Sequence, residues 1–141
     1  MSVKKELTVV QTDHEIYYAY INEKDEIEIG CMGNPQYRLI LGEGSARSHY
    51  DHLSLQYWQG QLILFYTCYE PMRNGYLMGA LYPFPGRQEE ILYFSPRGRI
   101  FYDTFVIENE CYVGLRGGEE REKGELLVFH KRDRGFERMG D

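Results

Sequence analysis

The sequence repeats itself at a fixed spacing. Arg47-Ser-His-Tyr50-Asp51-His-Leu53-Ser-Leu55 returns as Arg99-Ile-Phe-Tyr102-Asp103-Thr-Phe105-Val-Ile107, with 52 positions separating Arg47 from Arg99, Tyr50 from Tyr102 and Asp51 from Asp103 (99 − 47, 102 − 50 and 103 − 51). A period near 50 residues constrains the fold strongly, because one such unit cannot bury its own apolar face and must stack on its neighbours. Each copy continues with a turn, a second apolar run (Gln61 to Thr67; Cys111 to Arg116), a polar loop ending in glycine (Gly75; Gly124) and a third run (Tyr76 to Tyr82; Glu125 to Lys131). A weaker first copy, without the R-x-x-Y-D lead-in, runs through Glu6 to Val10, Glu15 to Tyr20 and Glu26 to Met32. Gln36 to Leu41 and Glu90 to Phe94 then lead into the second and third copies, and Gly135 to Met139 is a last segment placed to complete the first unit. The expectation is one domain of three repeats, spanning about 1–35, 36–84 and 85–141.

Within the repeats the apolar period is two. Leu53, Leu55 and Tyr57 alternate with Ser54 and Gln56, and Ile27 and Ile29 alternate with Glu26 and Glu28, the pattern of half-buried strands. Leu62-Ile-Leu-Phe-Tyr66 is apolar at every position, so it reads as an interior strand covered on both faces. Gln59-Gly60, Asn74-Gly75, Asn109-Glu110 and Lys123-Gly124 punctuate the runs, and Asn-Gly is the strongest hairpin signal among them. The fold class is therefore all-β, with about three four-stranded antiparallel repeats.

Composition narrows function mainly by exclusion. A net charge of −6 without a clustered basic stripe disfavours a nucleic-acid backbone as partner. No apolar run approaches membrane-spanning length, and no basic flank leads into an apolar segment at Met1 to Leu7; the expectation is a cytoplasmic protein that does not enter a membrane. Cys31, Cys68 and Cys111 are widely spaced and form no CxxC pair, so buried reduced thiols are expected rather than zinc or redox chemistry, and no metal or cofactor is implied. The 13 tyrosines suit strand surfaces and equally suit stacking on sugars or peptides.

The stretch Tyr50-Asp-His-Leu-Ser-Leu-Gln-Tyr-Trp-Gln-Gly-Gln-Leu-Ile-Leu-Phe-Tyr-Thr67, followed by Gly75-Tyr-Leu-Met-Gly-Ala80, resembles a blade of the sialidase-like and five-bladed glycosidase β-propellers. The sialidase Asp box, S-x-D-x-G-x-T-W, is missing. The resemblance implies a partial β-propeller, in which three blades pair with a second copy as a homodimer to close a six-bladed ring. A β-trefoil, also built from three four-stranded repeats, is the alternative architecture.

Chemistry-bearing residues concentrate in the repeated lead-in. Asp51 and Asp103 are the candidate carboxylate pair for acid and base work, although repeated aspartates also serve as acceptors for turn amides. Arg47 and Arg99 have the geometry to hold an anion. His49 and His52 bracket Tyr50-Asp51, and Trp58 is the only tryptophan. Alternation puts His49 and Asp51 on one face and His52 on the other, which is too few ligands together for a metal site. The expected ligand face comprises Arg47, His49, Asp51, Tyr57, Trp58, Arg99 and Tyr102. The resulting expectation is a non-catalytic, propeller-like binding or assembly protein whose ligand is a sugar or peptide. A small glycosidase-like hydrolase using Asp51 and Asp103 is the competing class.

Overall fold

The computed structural model describes residues 6–41, 50–84, 86–96, 98–116 and 126–139. These form three antiparallel sheets of four strands, each ordered along the chain. The first contains β1 (Leu7–Gln11), β2 (Ile16–Ile21), β3 (Ile27–Cys31) and β4 (Asn34–Leu41); the second contains β5 (Leu53–Trp58), β6 (Gln61–Glu70), β7 (Gly75–Tyr82) and β8 (Gln88–Ser95). β9 (Phe101–Ile107), β10 (Glu110–Arg116), β11 (Leu126–Arg132) and β12 (Gly135–Arg138) form the third.

The fourth strand of every sheet joins the three before it by pairing with the third. β4 adds to β3, β8 to β7 and β12 to β11, so Gln36 to Leu41 and Glu90 to Phe94 close a sheet rather than open the next one. The sheets consequently divide between Leu41 and Leu53 and between Ser95 and Phe101, later than the period alone places the unit edges. Among the described residues no strand pairs across two sheets and no barrel closes, so the trefoil alternative does not describe this chain.

The apolar run of β6 sits where its two-sided pattern requires. Leu62, Leu64, Tyr66 and Cys68 join Leu53, Leu55, Leu77 and Leu81 in a core shared with Ala19, Ile27, Ile29 and Leu41 of the first sheet. Ile63 and Phe65 point the other way, into a second core with Trp58, Met78, Cys111, Val113, Leu115 and Phe129. Successive side chains on a strand point to opposite faces, so a strand apolar at every position fits only a sheet sandwiched between two others. The second sheet is therefore the middle layer of three.

Turn chemistry sets the registers. Gln59 and Gly60 at φ 49° and 76°, and Glu108 and Asn109 at 50° and 65°, are two-residue hairpins with both central residues left-handed, matching the twist of the flanking strands. Asn74-Gly75 works differently from the expected tight hairpin. Pairing starts at Glu70 with Gly75, Asn74 supplies the positive φ of 51°, and Gly75 is needed because the Phe94 ring and the Ser95 carbonyl lie where its Cβ would stand. Lys123-Gly124 lies outside the described residues.

Candidate functional site

A polar seam joins the second and third sheets along β5 and β9. At its start the Asp51 carboxylate meets the Arg99 guanidinium at 3.4 Å, while the Asp51 amide donates to the Thr67 carbonyl at 2.9 Å. The Tyr102 hydroxyl donates to the His52 carbonyl at 2.7 Å, and the His52 ring stands edge-on to the Tyr102 ring with centroids 4.8 Å apart. Burial first, then the charges of Asp103 and Asp51, holds the Tyr102 phenol well above its ordinary value. It is a fixed donor, unsuited to proton transfer near neutrality.

Further along, Ser54 and Thr104 share a hydrogen bond of 2.5 Å between their hydroxyls. Gln56 Nε2 donates to Thr104 Oγ1 at 2.9 Å, and Trp58 Nε1 donates to the Asn109 carbonyl at 2.8 Å. Each of these groups crosses from one sheet to the next, so the seam fixes how the sheets pack. A buried polar group without a partner costs about 1–3 kcal/mol, which is why such rows are matched side by side.

The sequence-derived candidates separate along this seam. Asp51, Arg99 and Tyr102 come together, with His52 as an additional member. Arg47 and His49 lie outside the described residues. Tyr57 and Trp58 sit at the far end of β5 and point to opposite faces: Tyr57 toward the first sheet, Trp58 into the core with the third. Trp58 is 9% exposed, its N–H is used, and the Lys131 ammonium lies 5.6 Å from its ring centroid. It is a core filler rather than a stacking surface for ligand.

The two aspartates have unlike surroundings. Among the described residues Asp51 pairs with Arg99 and accepts no turn amide, and Asp103 accepts only the N–H of its neighbour Thr104, at 2.9 Å. Tyr102 and Thr104 face the second sheet, so alternation along β9 turns Asp103 to the outer face of the third sheet. The strand thus separates Asp103 from the seam that holds Asp51. Among the described residues no three His, Cys, Asp or Glu side chains gather as a metal site requires.

A different cluster appears at the seam of the first and second sheets, beyond the Tyr57 end of β5. Tyr57 lies parallel to Tyr17 at 6.3 Å, Tyr17 meets Tyr37 edge-on at 5.3 Å, and Tyr37 meets Phe84 at 4.9 Å. Tyr57 and Phe84 are exposed, whereas Tyr17 and Tyr37 are half-buried and rooted in the first core. Burial pushes the Tyr37 phenol up to about 12. Beside the row, Glu15 accepts a hydrogen bond from the Cys31 thiol at 3.1 Å. Of these residues only Tyr57 stands out in the sequence. Tyr17, Tyr37 and Phe84 come from three separate segments; tyrosine abundance is the only sequence signal for the first two, and Phe84 has none.

On the outer face of the first sheet, Glu28 accepts from the Tyr20 hydroxyl at 2.6 Å, Asn22 Nδ2 at 3.1 Å and Arg38 Nη2 at 3.2 Å. These donors hold its carboxyl down at about 2, the Tyr20 bond contributing most. They line an open hollow of about 480 Å³ with Lys24, Glu26 and Ile40. The carboxylate is fully occupied by its own sheet.

No protein-family model matches the chain, and no curated protein matches it.

Proposed function

We propose that this chain is a non-catalytic binding protein built on propeller-like blades, and that it holds a carbohydrate against the aromatic row Tyr57–Tyr17–Tyr37–Phe84. The row is the observation that carries this reading. Four rings in succession, 4.9 to 6.3 Å between neighbouring centroids, give an apolar track in which three of the rings carry a phenol hydroxyl. A flat apolar face with a polar tip is what a sugar ring requires of its partner. Anchoring of Tyr17 and Tyr37 in the core keeps the platform rigid, so little side-chain entropy is lost on binding. The blade reading draws on three sheets stacked face to face in chain order.

A hydrolase built on Asp51 and Asp103 fits less well. Paired glycosidase carboxylates flank one bond across a cleft, about 5 to 10 Å apart, whereas here β9 stands between the two and Arg99 engages Asp51. The seam that holds Asp51 is spent on joining sheets.

Glycan-array screening followed by calorimetry on the best hit tests the proposal. Tyr57→Ala and Phe84→Ala should each weaken binding about tenfold, the loss expected for one stacking ring. Absence of any retained glycan at millimolar concentration, or wild-type affinity in both variants, would overturn it. A hit restricted to tyrosine- or proline-rich peptides would also replace the sugar reading.

A further inference from the structure

The same pair of sheet faces meets twice inside the chain, and one further face of each kind is left open. Between the second and third sheets, the residues flanking the hairpin turns are Trp58 with Gln61 and Ile107 with Glu110, 49 positions apart (58 to 107 and 61 to 110). That registration matches Gln56 with Phe105, Trp58 with Ile107, Ile63 with Tyr112 and Phe65 with Gly114. Gln56, Trp58, Ile63 and Phe65 form the face the second sheet presses on the third. The matching face of the third sheet carries Phe105 and Ile107, 41% and 55% exposed, along with Phe101 and Leu126. Across it Phe105, Tyr112 and His130 stack with centroids 5.1 and 4.7 Å apart.

The first sheet is open on the complementary side. Thr8 faces the second sheet, its hydroxyl accepting from the Leu55 amide at 3.0 Å, so Leu7 and Val9 face away, 57% and 56% exposed. Cross-strand register puts Tyr18, Gly30 and Arg38 in line with Val9, and Tyr20, Glu28 and Ile40 in line with Leu7. Tyr18 lies over Gly30, close enough to bar a Cβ there, and Tyr66 lies over Gly79 in the same way. Each glycine adjoins a bulge in the third strand of its sheet. Tyr66 belongs to the face with which the second sheet packs on the first. The open face of the first sheet is therefore the counterpart of a face already packed inside the chain.

We propose that a second copy of this chain lays the open face of its first sheet on the open face of the third sheet, and receives the reciprocal contact. Two copies related by a two-fold axis then form a closed ring of six sheets with no face unmatched. Asp103 and Arg116, of opposite charge, share the open face of the third sheet, while Glu28 has three donors of its own and His130 Nε2 lies 2.7 Å from Glu110. Neither Glu28 nor His130 brings an unpaired ion into the interface. This inference stands apart from the sugar reading, since Tyr57 and Phe84 lie on neither face.

Light scattering coupled to size exclusion at tens of micromolar should give twice the 16.7 kDa chain mass. Val9→Lys and Phe105→Glu, both at exposed positions, should each give a monomer with unchanged far-ultraviolet circular dichroism. An equimolar mixture of the two variants should recover the dimer, because one of the two contacts in the mixed pair joins unmodified faces and the other sets the introduced charges together. A monomeric wild type, a mass that rises steadily with concentration, or a dimer indifferent to Val9→Lys would overturn the closed, head-to-tail pair. The mixture separates lost association from lost folding, since misfolded variants would not complement each other.

Discussion

Ile63 and Phe65 of the second sheet hold the same positions after their hairpin turn as Tyr112 and Gly114 of the third, yet the two pairs have opposite surroundings. The first pair is fully buried against another sheet, while the second lies on a face that none of the described residues covers with another sheet. The sequence changes accordingly: aliphatic and phenyl groups in the middle sheet give way to a tyrosine, a histidine-glutamate pair and scattered exposed apolar groups in the end sheet. A face that must spend time in water keeps polar atoms satisfied from within its own sheet, whereas a permanently dry face carries few polar atoms to satisfy. The end faces mix polar and apolar groups, the composition that the proposed pairing of two copies would cover.

Truncating one phenyl group on the buried face and one on the open face is the most forceful way to break this comparison. Phe65→Ala should destabilise the fold by about 3–5 kcal/mol, through lost burial and a cavity between sheets that includes its edge-on contact with Phe136. Phe105→Ala, made in the Val9→Lys background so that association does not contribute, should change stability by less than about 0.5 kcal/mol. Urea denaturation measures both, and similar losses at the two positions would erase the distinction between middle and end sheets.

A smaller effect is expected at the polar seam. Thr104→Val keeps the shape but leaves the buried Ser54 hydroxyl without the partner it has at 2.5 Å, at a cost of about 1–3 kcal/mol. The paired change Ser54→Ala with Thr104→Val should recover part of that loss, because no orphaned hydroxyl remains. A double-mutant cycle on denaturation midpoints reads the coupling, and strictly additive losses would show that the seam does not act as a unit.

The mildest test concerns the outer face of the first sheet. Glu28 titrates at about 2 in the folded protein against an ordinary 4.5, so the unfolded chain binds the extra proton first as pH falls. The contribution of this carboxylate is full above pH 4.5 and is lost as the pH drops from 4.5 through about 2. Denaturation midpoints of wild type and Glu28→Gln should therefore converge toward pH 2 and separate above pH 4.5. Parallel curves across that window would mean that the Tyr20, Asn22 and Arg38 contacts do not favour the charged form.

The two-sided apolar run from Leu62 to Tyr66 and the turn at Gln59-Gly60 were legible because each depends on residues adjacent in the chain. Alternation and positive φ are local, and they determine strand existence, strand face and hairpin register before any sheet meets another. The 52-residue period correctly announced a repeated unit, but the matched letters do not occupy matched places: hairpin registration shifts the correspondence to 49, so Asp51 and Asp103 are not structural equivalents. Identity between copies records which residue types recur, whereas hydrogen-bond register records where they sit. Tertiary packing alone decided that Arg99 meets Asp51, that Trp58 fills a core, and that Tyr17, Tyr37, Tyr57 and Phe84 form one row. Those contacts join residues tens of positions apart, and the choice among many possible partners is made by how three sheets stack, a quantity no local pattern carries.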